Sequence, residues 1–383
     1  MITETPILLE AIKQIPPVTT FLLDRYFPTN PKRDIFRTKR IIVEYKKGIR
    51  PVAPFISPRS NGVALERLGS YMHEYVAPTI GVRHTLTLDN LETRGFGEAL
   101  DSKLTAEERQ NDFFLEDLSD AQNSVKRKKE AMAAEVLFTN RLVVQEHGED
   151  GKAVGEEWDV RFYEGDVNPA IYTPVADWST SEESGEQIRA DLDAMIQMLS
   201  KRQLPATDLI VGRDVLRILQ TNKLFIKLWD NRRLDIGGYK VENLPNGVTK
   251  IPGLDILGHT LDVYCYEAEY EEVEKDENGN DIIVTKSYVP KGTILLTAPQ
   301  CGHTVHGAIS QMEDDRQFHT YSGEYVPRFF ADVRANEKEL CVRSAPLMIP
   351  HQESPWVVAQ VLTSDDEEEP VTPSKEGEGD GGE

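Results

Sequence analysis

Between residues 301 and 306 the chain reads Cys301-Gly-His303-Thr-Val-His306, a thiol and two imidazoles close together. Thiolate sulfur and imidazole nitrogen are zinc ligands, so this is the best local candidate for a metal centre and for a metal-dependent hydrolase. The spacing matches neither a zinc finger nor a zincin, and no second ligand pair follows. The plainer reading is a loop after the strand-like run Thr293 to Leu296. Asp276-Glu-Asn278-Gly-Asn280 imitates the start of a calcium loop, but Asp281 stands where glycine is needed and Ser287 where a bidentate glutamate belongs. His73-Glu74 lacks the second histidine of HExxH, and no GxSxG nucleophile elbow occurs. Lys152, between Gly148-Glu-Asp-Gly151 and Ala153, has the wrong surroundings for a phosphate-binding loop. The GxGxxG formed by Gly377, Gly379 and Gly382 has no helix behind it to supply a positive dipole end. A triad assembled from distant residues would leave no local trace. With eight histidines and none in a recognisable setting, an enzyme is not expected, and no catalytic residue, metal ligand or cofactor site is assigned.

What must position any function is a folded chain. Its 383 residues, 39% apolar and 8% aromatic, are too rich in large hydrophobes for disorder and suit one large domain or two interleaved lobes. The balance of 43 Lys+Arg against 65 Asp+Glu gives −22, a body that repels phosphate and argues against a protein that coats nucleic acid. The charge is uneven. Residues 25–59 carry ten cations (Arg25, Lys32, Arg33, Arg37, Lys39, Arg40, Lys46, Lys47, Arg50, Arg59) against Asp34 and Glu44, whereas 364–383 carry nine acids and one lysine. A basic arm therefore meets acidic surface, its own or a neighbour's. Cys265, Cys301 and Cys341 make no paired framework and suit a reducing compartment. The N-terminus lacks a basic n-region and long apolar core, and no run approaches the ~18 apolar residues of a membrane span, so the chain reads as soluble and not secreted by the usual route.

Residues 1–50 start with an amphipathic piece around Ile7 to Ile12, stop at Pro16-Pro17 and run extended through Phe27-Pro28 and Asn30-Pro31, an arm. Ile41, Val43 and Tyr45 alternate with polar neighbours as a strand. Pro51 to Pro78 is punctuated by proline and glycine around Val63 to Leu65 and Tyr71 to Val76, a long two-stranded excursion. Such an excursion buries no core alone, and packing onto another subunit is the simplest cover for Phe55, Ile56, Leu65 and Tyr71.

Thr105-Ala-Glu-Glu108 is a capping-box opening, and no Gly or Pro follows before Asn140, which predicts one long helix. Phe114, Leu118, Ala121, Val125, Met132 and Val136 recur at spacings of three and four with one gap of seven. Lys126-Arg127-Lys128-Lys129 interrupts the middle and reads as a solvated face, the alternative being contact with an acidic neighbour or packaged polyanion. Arg141 to Glu164 reads as strand, turn, strand. Residues 186–200 and a stretch from Val215 read as helices, Leu261 to Glu271 and Ile282 to Val289 as strands around a hairpin tip, and Gly302 to Leu362 as strand-rich. The final twenty residues are acidic, of low complexity and expected to be disordered.

The segment Phe27 to Pro78 resembles the opening of the lambda-like tailed-phage major capsid protein E family. Phe27-Pro28, Phe36-Arg37-Thr38, the strand Ile41 to Tyr45, the Lys47-Gly48 turn and Ala53-Pro-Phe-Ile-Ser-Pro-Arg59-Ser-Asn-Gly62 stand in the family's order. Weaker similarity continues through the long helix, Leu209 to Gly212, Gly307-Ala-Ile and Ser344-Ala-Pro-Leu, leaving the acidic tail outside.

The resemblance implies an α+β HK97-like capsid fold. Its parts would be an N-arm at 1–49, an extended E-loop at 50–80, a P-domain with a spine helix at 81–170, an A-domain at 171–299, a return to the P-domain at 300–362 and a tail at 363–383. It implies the major head protein of a tailed double-stranded DNA bacteriophage, assembled in the host bacterial cytoplasm into hexamers and pentamers of an icosahedral virion shell. The implied partners are scaffold and portal proteins and DNA held without sequence specificity; a decoration protein over the shell fits, and no membrane or cofactor is implied. Arg50, Arg59 and Arg67 are the cations expected to meet acidic surface on adjacent copies. No lysine occurs between Pro51 and Ser102, so an E-loop isopeptide cross-link is not expected. Because the family-like region begins near residue 25, the scaffold is expected to be a separate chain. A nucleic-acid-binding module and a hydrolase using Cys301, His303 and His306 are the rival readings.

Overall fold

The computed structural model describes residues 20–45, 55, 71–87, 105–148, 152–230, 242–244, 247–275, 281–313, 315–332 and 337–363. In chain order the elements are α1 (Phe21–Tyr26), β1 (Arg40–Tyr45), β2 (Tyr71–Val76), β3 (Ile80–Thr87), α2 (Ala106–Thr139), β4 (Arg141–His147), β5 (Ala153–Arg161) and β6 (Ile171–Tyr172). Then come α3 (Glu182–Lys201), β7 (Asp208–Val211), α4 (Arg213–Thr221), α5 (Lys223–Asp230), β8 (Glu242–Asn243), β9 (Val248–Ile256), β10 (His259–Tyr266), β11 (Glu269–Lys275) and β12 (Asp281–Ser287). The rest is strand: β13 (Thr293–Thr297), β14 (Gly302–His306), β15 (Ile309–Met312), β16 (Phe318–Tyr321), β17 (Val326–Asp332), β18 (Glu337–Ser344), β19 (Pro346–Pro350) and β20 (Val357–Gln360). The chain divides into two compact units, one of residues 1–132, 141–162 and 300–353, the other of 133–140, 163–299 and 354–383.

The second unit is built on a seven-stranded sheet in the order β6-β20-β13-β7-β10-β9-β8. Its central strands β7 and β13 are buried along their whole length, which is why Asp-Leu-Ile-Val and Thr-Ile-Leu-Leu-Thr read as apolar runs instead of alternating. Helix α3 lays Ile188, Leu192, Met195, Ile196 and Leu199 on this sheet, a stripe at helical spacing that packs into one core with Leu209, Val263, Ile294, Leu296 and Val357. Ser181 caps α3, its hydroxyl accepting the Ser184 N–H at 3.2 Å. The buried Asp191 carboxylate accepts from Tyr172 Oη at 2.8 Å and Trp178 Nε1 at 2.9 Å, which ties the middle of α3 to β6 and to the segment leading into the helix. Strand β20 lies in this sheet between β13 and β6, so the last described strand belongs with the second unit.

In the first unit the N-terminal half of α2 packs Phe114, Leu118, Ala121 and Val125 on Leu340 and Val342 from the sheet β17-β18-β3 and on Tyr325 just before β17. The capping box forms as the sequence predicts: Thr105 Oγ1 accepts the Glu108 N–H at 3.3 Å, and the Glu108 carboxylate accepts the Thr105 N–H at 2.8 Å. At the other end Asn140 takes a left-handed conformation, φ 57°, and stops the helix. Its side-chain amide donates to Ser354 Oγ at 3.0 Å and Asn168 Oδ1 at 3.2 Å, within the second unit.

Three local expectations need correction. Residues 21–26 are a helix and not extended chain. The predicted strand Leu261 to Glu271 is two strands, β10 and β11, with β11 turning back to pair with β12. The cationic run of α2 is only half solvated: Arg127 and Lys128 are exposed, whereas Lys126 and Lys129 are buried.

Candidate functional site

Any surface that holds copies together must itself be held, and the described arm and the β1–β2 ribbon show how. Six residues nucleate a helix poorly. Helix α1 persists because Glu130, on α2, caps it from afar: its carboxylate accepts the Leu22 N–H at 2.8 Å and the Leu23 N–H at 2.9 Å. Phe21, Leu22, Tyr26 and Phe27 are thereby buried. The chain then runs beside β14. Thr304 Oγ1 donates to the Phe27 carbonyl at 2.8 Å, the His306 N–H to the Asp34 carbonyl at 2.8 Å, and the Phe36 N–H to the His306 carbonyl at 2.9 Å. Asp34 is buried and folds its turn, accepting from the Asn30 N–H and Arg33 Nε, both at 2.8 Å. Burial opposes its ionisation, but those donors hold its carboxyl below the usual range.

Gly302 makes this seam fit. A Cβ there would stand 2.5 Å from the Phe27 ring and 2.6 Å from the Ile349 carbonyl. Gly302→Ala is therefore expected to cost about 1–3 kcal/mol through overpacking, read as a lowered melting midpoint.

Beyond the seam, β1 and β2 pair antiparallel from Arg40 opposite Val76 to Tyr45 opposite Tyr71. Alternation gives the ribbon two unlike faces. On one, Ile41 is buried, Val43, Tyr45, His73 and Tyr75 are half-buried, and the Tyr45, His73 and Tyr75 rings stack edge and face at 5.8 and 6.0 Å. Tyr75 continues onto Phe162 at 5.6 Å, and Tyr45 Oη reaches the Pro350 carbonyl at 3.4 Å. On the other face Arg40, Ile42, Glu44, Met72, Glu74 and Val76 are exposed, with Arg40 bonded to Glu74 at 3.0 Å.

Under the arm lies a charged centre that sequence reading missed. Lys129 is wholly buried, its ammonium 2.9 Å from Glu324 and 4.2 Å from the centre of the Tyr325 ring. Burial pushes the Lys129 ammonium below its usual value against the pull of Glu324. Burial opposes ionisation of Glu324 too, but Lys129 outweighs it and the carboxyl sits below its ordinary range. His306, also wholly buried, has neither ring nitrogen hydrogen-bonded, and desolvation, with Lys129 nearby, lowers it to about 3. A signal did exist. The gap of seven between Val125 and Met132 holds Lys129 on the buried stripe, four residues after one and three before the other.

Of the residues expected to meet neighbours, Phe55 is fully exposed and Tyr71 opens β2 opposite Tyr45. Arg50, Ile56, Arg59, Leu65 and Arg67 lie outside the described residues, as do the calcium-like loop at 276–280 and the acidic tail. The Cys301, His303 and His306 candidate does not come together: β14 alternates, so His303 and His306 face opposite sides. The Cys301 thiol lies 3.9 Å from the Tyr26 carbonyl, and His303 instead meets His351, their Nδ1 atoms 3.2 Å apart. Among the described residues no cluster of three or more His, Cys, Asp or Glu could hold a metal.

No curated protein matches the chain. Among solved structures, one described as a prophage capsid protein from E. coli CFT073 is 13% identical with a TM-score of 0.58, covering 94% of this chain and 100% of its own. The mature capsid of bacteriophage PhiM1 gives 10% identity and 0.44 over 91% and 88%. An encapsulin complex of Synechococcus elongatus PCC 7942 gives 10% and 0.41 over 92% and 95%. The first carries the fold, which is HK97-like. The family described as phage major capsid protein E matches residues 4–361, nearly the whole chain. With an arm sewn into its own subunit and a ribbon that buries one face and bares the other, the chain belongs to the phage major capsid protein E family and is a shell subunit of the virion.

Proposed function

We propose that copies of this chain assemble through their ribbons into hexamers and pentamers that close an icosahedral shell around double-stranded DNA. The observation that carries this is the two-faced ribbon: one face is packed in its own unit, the other bares Ile42, Met72 and Val76, and the connection between the strands carries a fully exposed Phe55. Isolated two-stranded ribbons are marginal in water, so such a face gains by being covered. One patch binding a different patch on the next copy propagates, and curvature closes the surface. Each copy is then held by several neighbours at once, so modest contacts add up to a durable shell.

In this reading residues 1–49 are the N-arm, 50–80 the E-loop, 81–170 and 300–362 the P-domain, with the last strand β20 joining the sheet of the A-domain at 171–299, and 363–383 an acidic tail. Helix α2 is the spine. Scaffold and portal proteins are its assembly partners, assembly takes place in the bacterial cytoplasm, and the DNA is held without base readout. The role is structural and not enzymatic. Arg50, Arg59 and Arg67, with Phe55, Ile56, Leu65 and Tyr71, are the contact residues of ribbon and loop.

The test is electron microscopy of the purified protein, which should show closed particles or capsomers. The triple variant Arg50→Glu, Arg59→Glu, Arg67→Glu is expected to stay a folded, unassembled subunit in sedimentation. Normal shells from that variant would refute the contact assignment, and a full-length protein that never assembles, alone or with its phage scaffold, would refute the shell.

A further inference from the structure

The seven-stranded sheet of the second unit ends at β6, whose only partner among the described residues is β20. Around this open edge Val167, Ile171 and Val175 are 81%, 52% and 92% exposed. Glu164, Asp166 and Asp177 are exposed among them, and residues 164–177 contain these three acids and no lysine or arginine. Asp177 also receives the end of the described chain, the Thr363 N–H at 3.0 Å and its hydroxyl at 2.6 Å. The edge is therefore apolar and anionic, and its outer side pairs with no other strand among the described residues.

The ribbon of the first unit is its counterpart in sign. Ile42 and Met72 are 61% and 68% exposed, and residues 32–40 bring Lys32, Arg33, Arg37, Lys39 and Arg40 to it, all exposed, against the single acid Asp34. On the ribbon's own open face Glu74 is taken up by Arg40, leaving Glu44 as the other acid.

We propose that the open face of the β1–β2 ribbon, with the cations before it, docks on the β6 edge, residues 164–177, of a neighbouring copy. The assignment rests on the shell reading above and names the surface that receives the ribbon. Shell assembly supplies a second copy of both surfaces, and two different patches meeting head to tail is the heterologous contact a shell needs. Apolar side chains at the centre with opposite charges at the rim match the anatomy of specific interfaces. The charges steer the encounter and reject the like-signed alternatives of ribbon on ribbon or edge on edge.

The experiment is a charge swap scored by shell yield in electron microscopy. Arg37→Glu with Lys39→Glu is expected to lower the yield at least roughly tenfold, as is Glu164→Lys with Asp166→Lys, because like charges then face each other. All four together are expected to restore most of it. Near-normal shells from either pair, or no recovery in the fourfold variant while it melts like the unmodified chain, overturns the docking and leaves the shell reading standing.

Should a variant not fold, zero-length carbodiimide coupling of unmodified shells decides. In shells mixed from two isotope labels, Lys39 should couple to Glu164 or Asp166 of a differently labelled copy. Coupling of Lys39 only to other carboxylates overturns the assignment. An unmodified chain that forms no shells fails the broader reading, and the docking with it.

Discussion

Glu324→Ala is expected to destabilise the first unit by about 2–4 kcal/mol, a large part of a domain's stability. The reason is asymmetry. Lys129 is wholly buried and Glu324 is its bonded acid at 2.9 Å, so removing the carboxylate leaves a buried ammonium without its bonded counter-charge. The loss falls below that for a fully enclosed pair because the Glu324 side chain is 39% exposed, so solvent already screens part of the interaction. The variant Lys129→Met with Glu324→Gln should recover most of the loss, since a buried pair replaced on both sides leaves no charge unmet. Chemical denaturation of the two variants beside the unmodified chain measures both effects. Equal midpoints for Glu324→Ala and the double variant would show that the pair is not what holds the site.

Acid should loosen the same unit, and His306 is the main reason. Its folded-state value, about 3, lies below the ordinary histidine value of 6.5. The unfolded chain therefore binds the proton first as pH falls, and stability present above about pH 6.5 is lost progressively down to about pH 3. For a wholly buried ring this amounts to roughly 3–5 kcal/mol across the window. His303, lowered to about 4 by desolvation and by His351 beside it, acts in the same direction. Glu324 does too, since its depressed carboxyl gives stability that is lost as pH falls through its folded value. Hydrogen exchange of the peptides covering 34–38 and 302–306 should accelerate below pH 6, because the arm is bonded to β14 at His306 itself. His306→Gln should flatten the dependence; an unchanged pH profile in that variant would remove His306 from the account.

These two sites also mark where the sequence was readable and where it was not. Helix α2, its capping box and its buried stripe follow from periodicity because a long helix carries its own signal. The β1–β2 ribbon follows from alternation in Ile41 to Tyr45 and Tyr71 to Val76. Helix α1 was invisible because six residues between prolines carry no period, and what stabilises them, Glu130, is more than a hundred positions away. Lys129 was misread because a lysine in a basic run defaults to solvent; only its place on the Val125 to Met132 stripe argued otherwise. The apparent metal motif failed for the opposite reason. Residues close in sequence were set apart by the two-residue period of β14. The arm's motifs pointed to the family, and the acids Glu164, Asp166 and Asp177 stand together in the sequence, but only the fold shows that they flank the last strand of a sheet.

The ribbon's form has one more outcome. Two strands of six residues give a handle about 20 Å long that resists stretching because its hydrogen bonds lie across it, yet two-stranded sheets have more twist than broad ones and turn about their long axis easily. Because Tyr45, at the far end of β1, is itself tied to the Pro350 carbonyl, any such turning is a small rotation of the whole ribbon about its anchored face. One polypeptide can therefore meet neighbouring copies at slightly different tilts through torsional compliance, with no second conformation of its core.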